Sequence, residues 1–123
     1  MCHSFTIEGK LPSLNETINE NRSNRYAGAK LKKEIETLIG WAIKKAKLTP
    51  IENPCVIEID WHEATKRRDV DNIHSSVKFI LDALVKNGIL KNDSRRYVKQ
   101  IYHQVIDDKT NFVIVRIKEV REI

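Results

Sequence analysis

Apolar and polar residues recur along the chain with two different periods, and each period predicts an element. Residues 4–8 alternate, with Phe5 and Ile7 on one face, which predicts a short strand. The segment 55–63 alternates in the same way and predicts a second strand. Between them, residues 29–47 repeat with a helical period; the apolar stripe consists of Leu31, Ile35, Leu38 and Ala42, flanked by Ile39 and Ala46.

The second half of the chain predicts another helix followed by two strands. The helix carries an apolar stripe of Ile73, Val77, Ile80, Leu81 and Leu84, and Asn87-Gly88 is expected to end it. Residues 97–106 and 112–120 read as strands, and the polar segment 107–111 between them is typical of a hairpin turn.

These elements predict a mixed α/β (α+β) fold in the order strand-helix-strand-helix-strand-strand. Helix crossovers favour parallel neighbours and the final hairpin an antiparallel pair, so we expect a mixed four-stranded sheet packed by two main helices. We expect residues 1–123 to form a single domain. Residues 9–28 are rich in Asn and Ser and are long for a structureless loop, which favours a functional role.

Composition restricts the class of protein. The chain has 123 residues, of which 41% are hydrophobic and 32% charged, as in soluble globular domains. No apolar run approaches the roughly 18 residues of a membrane span, and no signal sequence is visible. Cys2 and Cys55 are too few for a disulfide scaffold and lack zinc-ligand spacing. We therefore expect a cytoplasmic protein without a membrane partner.

The charge pattern is more informative than the net charge. A formal charge of +5, from 22 basic and 17 acidic residues, permits nucleic-acid binding without establishing it. In the segment Lys66-Arg67-Arg68-Asp69-Val70-Asp71-Asn72, two carboxylates follow three cations. Asp69 and Asp71 share a face if the segment is extended, and Mg²⁺ prefers such carboxylate oxygens. The alternative is that these acids only cap the following helix.

A third acid and a lysine extend this candidate site. Asp93 stands two residues before Arg95-Arg96, although an Asn-Asp-Ser turn explains it equally well. Lys78 lies two helical turns after Asp71 and could stabilise charge on a phosphate; the alternative is a surface ion pair with Asp82. His74, on the same stripe, is expected to be exposed. Trp41 is expected in the core, and a dimer surface is the alternative for it.

At this point the sequence resembles the RusA-type Holliday junction resolvases. The similarity is carried by Arg68-Asp69-Val70-Asp71-Asn72, by Lys78 to Leu84 with its Lys-x-x-x-Asp-Ala-Leu pattern, and by Gly88 to Asp93. The segment Leu11-Pro12-Ser13-Leu14-Asn15 is also similar to the Pro-Ser-x-Asn segment of the family. The lysine stands three residues later than in the founding member, with Ser75 at the one-turn position, and this longer spacing is similar to that of phage-related members.

The resemblance implies a homodimeric endonuclease that binds four-way DNA junctions and nicks two strands symmetrically, with Mg²⁺ as cofactor and Mn²⁺ able to replace it. It implies that Asp69, Asp71 and Asp93 bind the metal and are catalytic, and that Lys78 is the essential lysine. A junction presents closely spaced phosphates. The residues expected to contact DNA are Lys66, Arg67, Arg68, Arg95 and Arg96, with Arg22, Arg25 and Asn15 in the N-terminal segment.

Two other functions remain open from the sequence. The same acids could serve a Mg²⁺-dependent nuclease that cuts flaps or plain duplex. Alternatively, the chain could be a non-catalytic basic domain that binds nucleic acid and uses its aspartates only as helix caps.

Overall fold

The computed structural model describes residues 3–120, excluding the side chains of Leu14, Asn15, Glu20, Asn21 and Ser23. Cys2 therefore lies outside the described residues. The described elements are β1 (His3–Glu8), α1 (Leu14–Ser23), α2 (Arg25–Lys45), β2 (Cys55–Glu63), α3 (Val70–His74), α4 (Val77–Lys86), β3 (Val98–Asp107) and β4 (Phe112–Glu119). The predicted mixed α+β class is confirmed, although each predicted helix has a shorter companion.

The four strands form one mixed sheet in the order β1-β4-β2-β3. β2 and β3 are parallel, as the helical crossover between them predicts, and β4 is antiparallel to both β1 and β2. The core lies on one face of this sheet, where alternate residues of β2 such as Ile57, Ile59 and Trp61 are buried. α2 and α4 contribute Ile39, Ile80 and Leu84 to the same core.

The predicted hairpin between β3 and β4 is wrong, because β2 lies between these strands. β4 buries Val113, Val115 and Ile117, as expected for an interior strand, whereas β3 is largely exposed and forms an edge. Residues 108–111 instead pass the end of β2. The backbone N–H of Asp108 donates to the Glu63 carbonyl at 3.0 Å, and the Asn111 side chain accepts from the Ala64 N–H at 2.8 Å.

The polar segment 9–28, which is long for a structureless loop and in which the sequence leaves room for a helical turn, contains α1 and the start of α2. The Glu16 N–H donates to Ser13 Oγ at 3.1 Å, which satisfies a donor at the start of α1. α2 buries Ile35, Ile39 and Ile43, so its apolar face is rotated from the predicted stripe. The expectation that Trp41 belongs to the core is wrong, since 69% of this residue is exposed.

The predicted helix over residues 73–84 is interrupted at Ser75-Ser76, which separates α3 from α4. Both hydroxyls donate to backbone carbonyls: Ser75 Oγ to Asn72 at 2.6 Å and fully buried Ser76 Oγ to Pro12 at 2.8 Å. Such bonds compete with regular helical hydrogen bonding. Asp71 and Lys78 consequently lie on different helices.

A buried ion pair connects the end of β2 to the segment that precedes α3. Arg68 Nε and Nη2 donate to the two carboxylate oxygens of Glu63 at 3.1 and 2.9 Å, and Nη1 donates to the Leu11 carbonyl at 2.8 Å. Only 8% of the Arg68 side chain and 5% of the Glu63 side chain are exposed. Arg68, expected to contact DNA, instead directs its guanidinium into the interior, where it holds three segments together.

Arg68→Ala should destabilise the fold strongly. The substitution leaves the Glu63 carboxylate buried without its partner, which typically costs about 3–5 kcal/mol in free energy of unfolding. Arg67→Ala is the matched control: Arg67 is exposed, and its loss should change stability by less than about 0.5 kcal/mol. Urea denaturation of both variants measures the difference, and equal stabilities would show that the pair does not anchor the fold.

Candidate functional site

Asp69 and Asp71 lie at the start of α3, and both are exposed. Asp69 occupies the N-cap position with an extended backbone, at φ −72° and ψ 156°, yet its side chain makes no capping hydrogen bond. Asp71 stands in the first helical turn. The two residues therefore do not lie in one extended segment, which is the condition for their side chains to share a face. They lie at the junction of an extended residue and a helix. The capping explanation is not realised for the Asp69 carboxylate.

Lys78 connects the start of α4 to the loop that follows the same helix. Its Nζ lies 3.0 Å from Asp82 Oδ1 and 3.2 Å from Asp93 Oδ2. The helix and its return loop therefore bring Asp93 back to the first turn of α4. The i,i+4 pair with Asp82, considered as the alternative for Lys78, is present together with the contact to Asp93.

The two carboxylates keep Lys78 protonated. Hydrogen bonds from Lys78 to Asp82 and then to Asp93 raise the pKa of the ammonium above its usual range. Because 55% of the side chain is exposed, the charge remains accessible from solvent. Lys78 is thus suited to stabilising negative charge on a bound anion and unsuited to acting as a base near neutral pH.

The candidate carboxylates are of the chemical type that binds a divalent cation, but they do not form a preassembled metal site. Carboxylate oxygens are the ligands that Mg²⁺ prefers. Asp69, whose carboxylate makes no capping hydrogen bond, and Asp71 both offer such oxygens at exposed positions. Within residues 3–120, however, no three Asp, Glu, His or Cys side chains are grouped to hold one ion. Mg²⁺ commonly uses one or two carboxylates and completes its shell with water and phosphate oxygens. Asp69 and Asp71 supply carboxylate oxygens of that kind.

A stack of rings that the sequence patterns did not predict lies beneath α3. Trp61 Nε1 donates to His103 Nδ1 at 3.0 Å, and the His74 and His103 rings stack with centroids 3.9 Å apart. The expectation that His74 is exposed is wrong: it is half-buried, and its Nε2 is buried without a hydrogen-bond partner among the described residues. The parallel register pairs Ile59 with His103 and so brings His103 beside Trp61, information that spacing along the chain does not contain.

Both histidines of this stack are held neutral. Burial lowers the pKa of His103 from 6.5 to about 4, and the neighbouring His74 contributes to the shift. Burial also lowers the pKa of His74, against an opposing effect of the Asp71 carboxylate. The stack therefore places uncharged rings between the sheet and the helix that carries Asp71.

The basic residues expected to contact DNA fall into two groups. Lys66 and Arg67 are exposed before α3, and Arg95 and Arg96 are exposed after Asp93, so both pairs flank the acids. The exposed residues Arg22 and Arg25 lie at the end of α1 and the start of α2. Arg68 is buried, as described above. The Asn15 side chain lies outside the described residues.

The exposed acids thus stand in two segments that also carry exposed basic residues, and Lys78 contacts one of these acids, Asp93. The family model described as "Endodeoxyribonuclease RusA" matches residues 9–118, nearly the whole chain. The chain therefore belongs to the RusA endodeoxyribonuclease family, and its members are hydrolases of DNA. A comparison with curated proteins finds no significant match. No helix within the described residues is long and apolar enough to cross a membrane.

The histidine stack predicts a specific pH dependence of stability. The unfolded chain binds a proton on His103 near pH 6.5, whereas the folded chain resists protonation down to about pH 4. Stability from this site is thus fully present above pH 6.5 and is lost as the pH falls toward 4. His74, Asp71 and Trp61 are the groups that face His103 or its stacked partner.

His103→Gln, which keeps an acceptor for Trp61, should lose part of this acid sensitivity. Urea denaturation at pH 7 and pH 5 would compare the loss of stability in the wild type and the variant. His3→Gln, at the start of β1, controls for removal of a histidine elsewhere. The same loss in His103→Gln and the wild type would contradict the assignment.

Proposed function

We propose that this chain is a Mg²⁺-dependent endodeoxyribonuclease that binds four-way DNA junctions and resolves them by paired hydrolysis of phosphodiester bonds. The contact of Lys78 with Asp93 carries the proposal, because it joins two residues that are fifteen positions apart and that the resemblance makes catalytic. The family match over residues 9–118 supports the class of reaction. We further propose that the protein acts in the cytoplasm as a single domain.

Asp69, Asp71 and Asp93 are the proposed metal ligands; these three carboxylates are not grouped around one point in this structure, so a bound cation would have to draw them together. A bound Mg²⁺ would polarise the scissile phosphate and favour a hydroxide nucleophile, and Mn²⁺ could replace it. Asp93 is paired with Lys78 in this structure, so its carboxylate would be shared between the lysine and the cation. Lys78 remains protonated and would stabilise charge that develops on the phosphate oxygens or on the leaving oxygen.

The proposed phosphate contacts flank this centre. Lys66 and Arg67 precede Asp69 in the loop before α3, and Arg95 and Arg96 follow Asp93 in its loop. Arg22, Arg25 and Asn15 are proposed as outer contacts of the N-terminal segment. We leave Arg68 out of this set because its guanidinium nitrogens donate to Glu63 and Leu11.

Paired nicking requires two active sites, and each chain supplies one proposed acid centre. A twofold homodimer places two identical centres symmetrically, which suits a substrate with related strands. We therefore propose that the active form is a homodimer.

Asp71→Asn should abolish junction cleavage while junction binding is retained or tightened. The substitution keeps the shape of the side chain, removes a charged metal ligand and relieves repulsion of phosphate. The assay incubates a synthetic four-way junction, a flap and a plain duplex with wild type and variant, with and without Mg²⁺. Undiminished nicking by the variant would refute the metal site.

The same assay separates the candidate functions. Preferential cleavage of the junction supports a resolvase. Equal cleavage of flap or duplex would instead support a general nuclease, and DNA binding without any nicking by the wild type would indicate a non-catalytic domain.

Lys78→Ala should reduce the single-turnover cleavage rate by orders of magnitude. If Lys78 served only its ion pair with Asp82, the effect would be roughly 0.2–0.5 kcal/mol of stability and no change in rate. Asp82→Asn is the matched control, because it removes the same pair and keeps the ammonium. Ser75→Ala tests the residue at the spacing of the founding member. Normal cleavage by Lys78→Ala would exclude a chemical role for the lysine.

A further inference from the structure

The positive charge of the chain is concentrated on one helix. α2 contains six basic and two acidic residues, a net charge of +4, whereas the whole chain carries +5. None of the three acids of the proposed catalytic centre lies on this helix. The distribution therefore indicates a second cationic surface, distinct from the loops that flank those acids.

Three lysines of α2 and one of α4 line a groove between α2 and the end of α4. The groove has a volume of about 600 Å³, and its lysines are Lys32, Lys33, Lys44 and Lys86. One acid in the groove, Glu36, is engaged by Lys86 at 3.0 Å. The groove thus presents more positive than negative charge to any ligand.

An exposed aromatic side chain lies in the same groove. Trp41 is 69% exposed and lines the groove together with Lys44. Grooves that combine cations with an aromatic ring suit the sugar-phosphate backbone and unstacked bases of nucleic acid. Trp41 therefore adds an exposed aromatic ring to the cationic surface, and a solvated face of lysines alone has no such ring.

The face of the sheet opposite the core has a different charge pattern. Arg116 lies 2.8 Å from Asp60 and 3.2 Å from Glu58, and Lys118 lies 3.2 Å from Glu58. Cations and acids neutralise one another there. Charge complementarity to a polyanion accordingly favours the α2 groove over the sheet face.

We propose that the α2 groove, lined by Lys32, Lys33, Trp41, Lys44 and Lys86, binds the sugar-phosphate backbone of a DNA arm away from the scissile phosphate. The proposal rests on the proposed function and adds a second DNA contact to it. Lys78, Asp82 and Lys86 form an i, i+4, i+8 row on α4, so the groove end of the row lies about 12 Å from Lys78 along the axis. That distance corresponds to about three to four base pairs of duplex. One arm can therefore reach both the centre and the groove.

Salt-dependent binding tests this contact directly. The variant Lys33→Ala/Lys44→Ala removes two groove charges, and Lys99→Ala/Lys118→Ala removes two exposed lysines from the sheet. The probe is a synthetic four-way junction without Mg²⁺, so that binding is measured in the absence of nicking. The slope of log K against log salt should fall by about two in the groove variant, and its Kd should rise roughly tenfold. The sheet variant should keep the wild-type slope.

Tryptophan fluorescence provides an independent readout. Trp61 is buried and Trp41 is exposed, so a backbone docked in the groove should change mainly the emission of Trp41. Addition of the junction should change the emission of the wild type, and Trp41→Phe should remove that change. The same response in Trp41→Phe would place the contact elsewhere and overturn the proposal.

Three further outcomes would overturn the groove contact. One is a wild-type salt slope in Lys33→Ala/Lys44→Ala, and another is equal slopes in both double variants. The third is a loss of self-association in the groove variant at unchanged DNA affinity, which would assign the groove to a second copy of the chain. Cleavage by the wild type is scored separately: the groove can fail while the nuclease function stands, and a wild type that binds without nicking refutes only the nuclease function.

Discussion

The buried pair between Arg68 and Glu63 is the constraint on which the candidate site depends. It joins the last residue of β2, the residue before Asp69 and, through the Leu11 carbonyl, the N-terminal segment. The hydrogen bond from Ser76 to the neighbouring Pro12 carbonyl holds that segment from the α4 side. The acids at the start of α3 are therefore positioned by charge and hydrogen bonding in the interior, although they are themselves exposed. Arg68, which the sequence predicts to contact DNA, thus has a structural role.

Local patterns predicted where the strands lie along the chain better than they predicted which strands pair in the sheet. β2 matches its predicted bounds because its alternation reflects one buried and one open face. The prediction of a β3–β4 hairpin failed because a short polar segment is compatible with two connections. It can form a turn between paired strands, or it can cross the end of a strand that lies between them. α1 was missed although Ser13 and Glu16 have the spacing of a capping box, a signal that outweighs the Asn-rich composition. Strand order depends on which apolar strand fills the centre, and the alternation alone does not contain it.

The candidate site was predictable in residue type and not in arrangement. The proximity of Asp93 to Lys78 follows from a loop that returns to its own helix, and the sequence suggested it only through family resemblance. The ring stack of Trp61, His103 and His74 was not predicted, because it is assembled from β2, β3 and α3. Opposite surroundings shift the two kinds of group in opposite directions: burial lowers the pKa of His103, whereas hydrogen bonds to two carboxylates raise the pKa of the exposed Lys78.

The position of β4 in the sheet has a consequence for how the chain acquires its structure. β4 is the last strand in the sequence, yet it pairs with β1 through contacts such as His3 with Ile117, and with β2 on its other side. The β1–β4 pairings join residues more than a hundred positions apart and the β2–β4 pairings join residues fifty or more apart. Contacts of such separation slow folding because long loops must close first. During synthesis, β1 and β2 have no common neighbour until residue 119 has left the ribosome. β4 and β2, the central strands of the sheet, can therefore pair only after residue 119 has been translated.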